Sequence, residues 1–159
     1  MTDEEVQAFS LRVTQANQSE LTVITYEIIL KYIADAISSI SENDIDSYVI
    51  YNTKAREFLR ELMAALTYTD EVSYNLIRIY SYVHGLLVKA GYDKDKSKLE
   101  TASGMLNTLL VAFRKVAEND TSSPVMMNTQ QVYAGLTYGK GYLNETTLDN
   151  NITGRGFQA

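Results

Sequence analysis

The sequence predicts an all-α fold, an antiparallel up-down four-helix bundle with an additional, largely irregular C-terminal tail. Three observations carry that prediction. Apolar residues recur at steps of three and four in four successive stretches. No stretch of the first 120 residues alternates with period two, and capping residues and glycine fall between the periodic stretches. At 159 residues the chain is the size of one domain, long enough to bury roughly two thirds of the surface its unfolded form exposes.

The first helix is expected over about residues 18–41. Its core stripe reads Tyr26, Leu30, Ile33, Ile37, Ile40, and Val23, Ile24, Ile28 and Ile29 widen the apolar arc, so this helix touches several neighbours. The second, about 44–67, carries Ile45, Tyr48, Asn52, Ala55, Leu59, Leu62, Leu66. The third, about 70–90, carries Val72, Leu76, Ile79, Val83, Leu86, Ala90, and the fourth, about 94–118, carries Leu99, Ala102, Leu106, Leu109, Phe113, Val116. Such 3–4 spacing is the seam of bundle helices crossing at about 20°.

Punctuation supports the same limits. Asn17 stands three residues before Glu20 as a capping box, and Asn43 three before Asp46 in a weaker version. Gly91 can close the third helix in a left-handed conformation, with Asp93 or Asp95 capping the fourth. The resulting connections are short, and short connections make consecutive helices antiparallel. Asn52 falls on a core step, where it needs either a hydrogen-bond partner or a turn that faces solvent.

Residues 120–159 differ in kind from residues 17–119. They hold five of the eight glycines and the only proline, Pro124, and nearly balanced charge. They also hold too many apolar residues for a free linker, so Val132, Tyr133, Leu136, Tyr138 and Tyr142 are expected to pack back along the bundle.

Composition excludes several function classes. A net charge of -6 argues against nucleic-acid or anionic-membrane binding. Without cysteine there is no disulfide, thiolate metal site or thiol nucleophile. No signal peptide is recognisable, and the apolar runs fall far short of the ~20 residues that cross a bilayer. The expected compartment is the cytoplasm, with no membrane insertion.

His84, the single histidine, is the sharpest candidate for chemistry, because histidine phosphotransfer bundles present one imidazole on a helix. Their pattern resembles H-x-L-K-G, whereas here Leu87 and Val88 stand where lysine and glycine would hold and admit phosphate. One histidine cannot supply a di-iron site. Asp93, Asp95 and Ser97 imitate the start of a calcium loop, but Lys98 and Gly104 occupy the positions that need glycine and a bidentate glutamate. GLTYGKG, residues 135–141, lacks the spacing of a phosphate loop. The sequence thus reads as no enzyme, with no cofactor and no metal.

Twelve tyrosines and no tryptophan are the remaining signal. Tyr80 and Tyr82 lie ~200° apart around a helix, so one stripe cannot bury both. Tyr32, Tyr48, Tyr51, Tyr74 and Tyr82 together offer more amphipathic surface than a compact bundle needs, which suits a binding groove.

These residues resemble those of a known family, the flagellin export chaperones (FliS). The family's first-helix pattern, S-P-E-E-L-x-x-x-L-Y-D-G, is met by Glu20, Leu21 and Tyr26 at the same spacing. Its second-helix L-x-x-L-M-x-x-L is met by Leu59, Leu62, Met63 and Leu66, and its third-helix N-L-x-x-L-Y-x-Y by Asn75, Leu76, Ile79, Tyr80 and Tyr82. Gln18 and Ile28 replace the proline and glycine of the first pattern, and the forty-odd residues after the fourth helix have no counterpart in it. The resemblance implies that residues 1–16 form an N-terminal strap, with Phe9, Leu11 and Val13 where tyrosine is usual. It also implies that the bundle binds the disordered C-terminal segment of flagellin, prevents premature polymerisation and delivers the subunit to the flagellar export gate. Tyr26, Tyr48, Tyr51, Leu62, Asn75, Tyr80 and Tyr82 are the candidate flagellin-binding residues. A phosphotransfer module acting through His84 and a bundle that simply forms a homodimer are the alternative readings.

If the tail covers the grooves of the unliganded bundle, deleting residues 121–159 tightens binding of a flagellin C-terminal peptide. Unchanged or weaker affinity in calorimetric titration removes the tail as a competitor.

Overall fold

A computed structural model describes residues 1–126, and these form five helices: α1 (Asp3–Gln15), α2 (Gln18–Ser41), α3 (Ile45–Ala64), α4 (Glu71–Asp93) and α5 (Lys96–Glu118). Among the described residues there is no strand. Helices α2 to α5 make an antiparallel ring in which α2 touches α3 and α5, and α4 touches the same two. Helix α1 lies outside that ring, against α2.

Within residues 1–16, expected as an N-terminal strap, Asp3–Gln15 form a regular helix. Thr2 accepts from the Glu5 amide while the Glu5 carboxylate accepts from the Thr2 amide, closing a capping box. The second capping box is Asn17 with Glu20, as the spacing predicts.

Other boundaries shift for local reasons. Asp44, rather than Asn43, caps α3 by accepting from the Ser47 amide, and Asn43 takes the left-handed conformation of the turn at φ 59°. Helix α3 ends at Ala64 instead of running to residue 67. Gly91 does not close α4. The helix continues to Asp93 and Lys94 takes the left-handed cap at φ 54°. Gly91 is needed for room instead: a Cβ there would stand 3.0 Å from the Asn52 amide nitrogen. Asp95 caps α5.

The core runs along the inside of the ring. From α2 it takes Tyr26, Ile29, Ile33 and Ala36; from α3, Tyr48, Ala55 and Leu59; from α4, Tyr80, Val83, Leu87 and Ala90; from α5, Leu99, Ala102 and Leu106. Two expected stripes are rotated. In α4, Val72 is exposed and Leu87 replaces Leu86 at the centre; in α5, Leu110 is buried and Val116 is exposed. Tyr80, a candidate binding residue from the sequence, is 1 % exposed and belongs to the core. A tyrosine there needs a partner for its hydroxyl, while Val83 and Ala90 keep the core places their spacing predicts.

That partner is the hydroxyl of Tyr26, 0 % exposed and on the opposite corner of the ring. Burial first, and the neighbouring phenol second, pushes the Tyr26 hydroxyl pKa up, and burial does the same for Tyr80, so both stay neutral. Tyr48 donates to the Ala90 carbonyl, and Asn52 Nδ2 donates to the Leu87 carbonyl at 3.0 Å. Asn52 is thus a buried core residue with a partner for its amino group.

Removing one hydroxyl of the Tyr26–Tyr80 pair strands the other in an apolar interior at a cost of ~1–3 kcal/mol. Chemical denaturation should find Tyr26→Phe and Tyr80→Phe each less stable by about that amount, and the double variant less destabilised than the sum. Strict additivity would mean that the two hydroxyls do not support one another.

Candidate partner-binding site

Helix α2 is apolar around more of its circumference than the ring can use. Ile24 and Ile28 point away from the core and are buried with Ala16 in a second cluster, which Leu21, Tyr32, Phe58 and the α1 residues Phe9 and Val13 complete. Tyr32 and Phe58 also pack against the main core, so the two clusters share a wall. The Tyr32 ring lies 5.9 Å from Phe58 and 6.3 Å from Tyr51, giving an aromatic row along the α2–α3 face.

Helix α1 covers part of this face without being absorbed by it. None of its residues is buried, and Leu11 is 62 % exposed. A 13-residue helix is marginal alone in water, so α1 is helical because it is docked. The docking is apolar at Phe9 and Val13 and ionic around them. Lys31 bridges Glu5 and Asp35 at 3.0 Å each, and Glu27 pairs with Arg12 at 2.6 Å and with Arg114 of α5 at 2.8 Å. Burial alone would raise the Glu27 pKa, but Arg114 and Arg12 hold the carboxyl below its usual 4.5. That stabilisation is complete above pH 4.5 and is lost as pH falls through the folded-state value. Partly exposed pairs of this kind contribute ~0–1 kcal/mol each.

Beside the C-terminal end of α1 lies an open cleft of about 520 Å³, with Ala16, Val23, Ile24 and Ala117 as apolar lining and Arg12, Glu27 and Arg114 among its polar residues. The chain returns here after α5. Asn17 Nδ2 donates to the Asp120 carbonyl at 3.1 Å, and the Val125 amide donates to the Ala16 carbonyl at 3.0 Å.

The residues named from the sequence divide into three groups. Tyr26, Tyr48 and Tyr80 are core side chains, and Leu62 is 6 % exposed among them. None of these four is on the surface. Tyr51 is half-buried in the aromatic row, while Asn75 and Tyr82 are exposed on α4, seven residues apart and therefore on one strip of that helix. Val132, Tyr133, Leu136, Tyr138 and Tyr142 lie outside the described residues. The structure adds Ile24, Ile28, Tyr32, Phe58, Phe9 and Val13. The extra apolar residues of the first predicted helix were the signal for this second cluster, but nothing in the periodicity said that residues 3–15 would supply its cover.

His84 is half-buried on α4, where burial and then Arg56 and Arg60 push its pKa down. Among the described residues no three His, Asp or Glu side chains converge on a metal site, and no helix is long and apolar enough to cross a membrane.

The apolar face under a weakly held helix lies in a part of the chain that sequence comparisons match. The model of a family described as flagellar protein FliS matches residues 3–120. The chain belongs to the FliS family. The flagellar secretion chaperone FliS of Bacillus subtilis (strain 168) is 26 % identical to it over 108 residues, which is 68 % of this chain and 81 % of that protein. The match takes in α1 and the whole ring and stops where α5 gives way to the tail. FliS membership thus covers every element that builds the apolar face, and residues 121–159 lie beyond it.

Proposed function

We propose that this chain is a cytoplasmic flagellar secretion chaperone that binds the disordered C-terminal segment of flagellin, keeps subunits from polymerising before export and hands them to the export gate. The observation that carries the reading is the aromatic and aliphatic face of α2 and α3, only part of which is covered, and by a helix with no buried residue of its own. FliS membership and the chaperone name of the Bacillus relative support it.

The mechanism is coupled folding and binding. A flagellin end without structure of its own lays short amphipathic helices on the α2–α3 face, where Ile24, Ile28, Tyr32, Phe58 and Tyr51 supply anchors. Ordering that segment costs several kcal/mol, so affinity rests on buried apolar area and a few aromatic contacts. Displacing α1 breaks pairs that are individually weak, so the cost of uncovering the seat is small beside the area gained. No bond is made or broken, and a family of chaperones requires no catalytic group.

Variants in the half-buried aromatic row test this once folding is checked, whereas Tyr80→Ala or Leu62→Ala would report on folding alone. Calorimetric titration with a flagellin C-terminal peptide should show the Tyr51→Ala/Phe58→Ala variant binding roughly tenfold or more weakly, with helicity retained. Equal affinity in that variant would move the binding surface elsewhere, and no binding by the parent chain would end the flagellin reading.

A further inference from the structure

The seam between α3 and α4 carries a cluster of cations that the fold leaves without anions. Two hydrogen bonds fix the register of these antiparallel helices: Tyr48 donates to the Ala90 carbonyl and Asn52 to the Leu87 carbonyl. Arg56 stands four residues after Asn52 and His84 three residues before Leu87, so one further turn brings these two level across the seam, with Arg60 following on the same strip of α3. Arg56 and Val88, which is one turn from His84, line a common cleft of about 230 Å³. The imidazole responds to both guanidinium groups: after burial, Arg56 and then Arg60 push its pKa down.

Elsewhere in the bundle clustered charges are matched. Lys31 meets Glu5 and Asp35, Arg12 and Arg114 share Glu27, and Lys98 meets Asp93 and Asp95. Among the described residues no carboxylate pairs with Arg56, Arg60 or His84. Arg56 donates to a neutral group, Thr53 Oγ1, at 3.2 Å. Glu57, whose carboxyl feels both arginines, is taken by Lys54 at 2.9 Å. Two guanidinium groups one turn apart repel each other, and a chain of net charge -6 has acids to spare for separating them. They are left facing outward instead, Arg60 exposed and Arg56 and His84 half-buried.

The complement of such a cluster is a carboxylate. Its two oxygens accept from a guanidinium in parallel and have lone pairs left for a second cation, and a protonated imidazole adds a further donor. An ammonium would be repelled, and a neutral amide would leave the two arginines unscreened. The flanks of the seam suit a carboxylate carried on a polypeptide: Val49 is 51 % and Tyr92 84 % exposed beside the cleft. Residues 127–159 hold Glu145 and Asp149 against Lys140 and Arg155, so the tail brings no net negative charge to the cluster. Arg56 and Phe58 are ~200° apart around α3, so a segment seated on the α2–α3 face reaches the cluster by crossing one helix, ~10 Å wide.

We propose that Arg56, Arg60 and His84 form a carboxylate site on the α3–α4 seam, which takes an aspartate or glutamate of the polypeptide that the bundle binds. That this polypeptide is flagellin rests on the chaperone reading; the preference of the site for carboxylate does not.

The test is side-chain NMR of the full chain, following the His84 imidazole during titration with a capped tetraglutamate peptide, with capped tetraglutamine as control, and then with the flagellin C-terminal segment. Tetraglutamate is expected to shift the signal saturably and tetraglutamine to leave it in place. A seated carboxylate favours the charged imidazole, so the His84 pKa rises on binding, and tetraglutamate binds more tightly as pH falls from about 8 towards about 5.5, where glutamate is still ionised. Arg60→Gln, at an exposed position, is expected to remove most of the response and to weaken flagellin-segment binding roughly two- to fivefold, the size of one partly exposed charge pair. No saturable shift, an equal response to tetraglutamine, or a response unchanged in Arg60→Gln would overturn the site. A fall of the His84 pKa in the free full chain on Glu145→Gln/Asp149→Asn would overturn the assignment to a partner, since the tail would then supply the carboxylate. Flagellin binding that leaves His84 unmoved overturns the inference while the chaperone reading stands. A tetraglutamate response without flagellin binding upholds the carboxylate site and removes the chaperone reading.

Discussion

The hydroxyl contact between Tyr26 and Tyr80 joins α2 to α4 across the diagonal of the ring, where no solvent can substitute for either partner. Sliding either helix by one turn would strand two phenols in an apolar interior, so this pair sets the register that the aliphatic residues then fill. Tyr48 on the Ala90 carbonyl and Asn52 on the Leu87 carbonyl do the same for α3 against α4. A core of leucine and valine alone tolerates small rotations of its helices. A core in which two phenols, a third tyrosine and an amide nitrogen are tied to definite partners does not.

With α3 and α4 held at that angle, the unused faces acquire definite positions. Helix α2 turns Ile29 and Ile33 inward and Ile24 and Ile28 outward, so it is buried on two sides by unequal neighbours. The inner neighbour is the ring. The outer one is α1, held by half-buried side chains and partly exposed ion pairs. Stability is therefore uneven by construction, with a firm scaffold and a cover drawn from the weak end of the range. That gradient suits the proposed role: a rigid face to fold upon and little to displace before reaching it.

The ring was legible in the sequence because its information is local. Steps of three and four, the Asn17–Glu20 capping box and the short connections all lie within one or two helical turns. What escaped depends on contacts between distant residues. Tyr80 carries an amphipathic side chain that suits a groove as well as a core, and only the position of Tyr26 decides for the core. Gly91 looks like a helix stop until Asn52 of another helix is seen to need its space. Helix α1 lacks an apolar stripe wide enough to be buried, so residues 3–15 become helical through capping by Thr2 and docking on α2. The family resemblance picked out Tyr26, Tyr80 and Tyr82, and the structure puts the first two in the core and the third on the surface.

The central claim is that a preformed bundle receives the flagellin end on its outer face while its interior stays shut. Backbone hydrogen exchange of the full chain, with and without the flagellin C-terminal segment, measures this directly. The account predicts unchanged protection around Tyr26 and Tyr80, loss of protection in α1 and gain along the α2–α3 face. Loss of protection throughout α2 and α4 on binding, or no change anywhere, would contradict it.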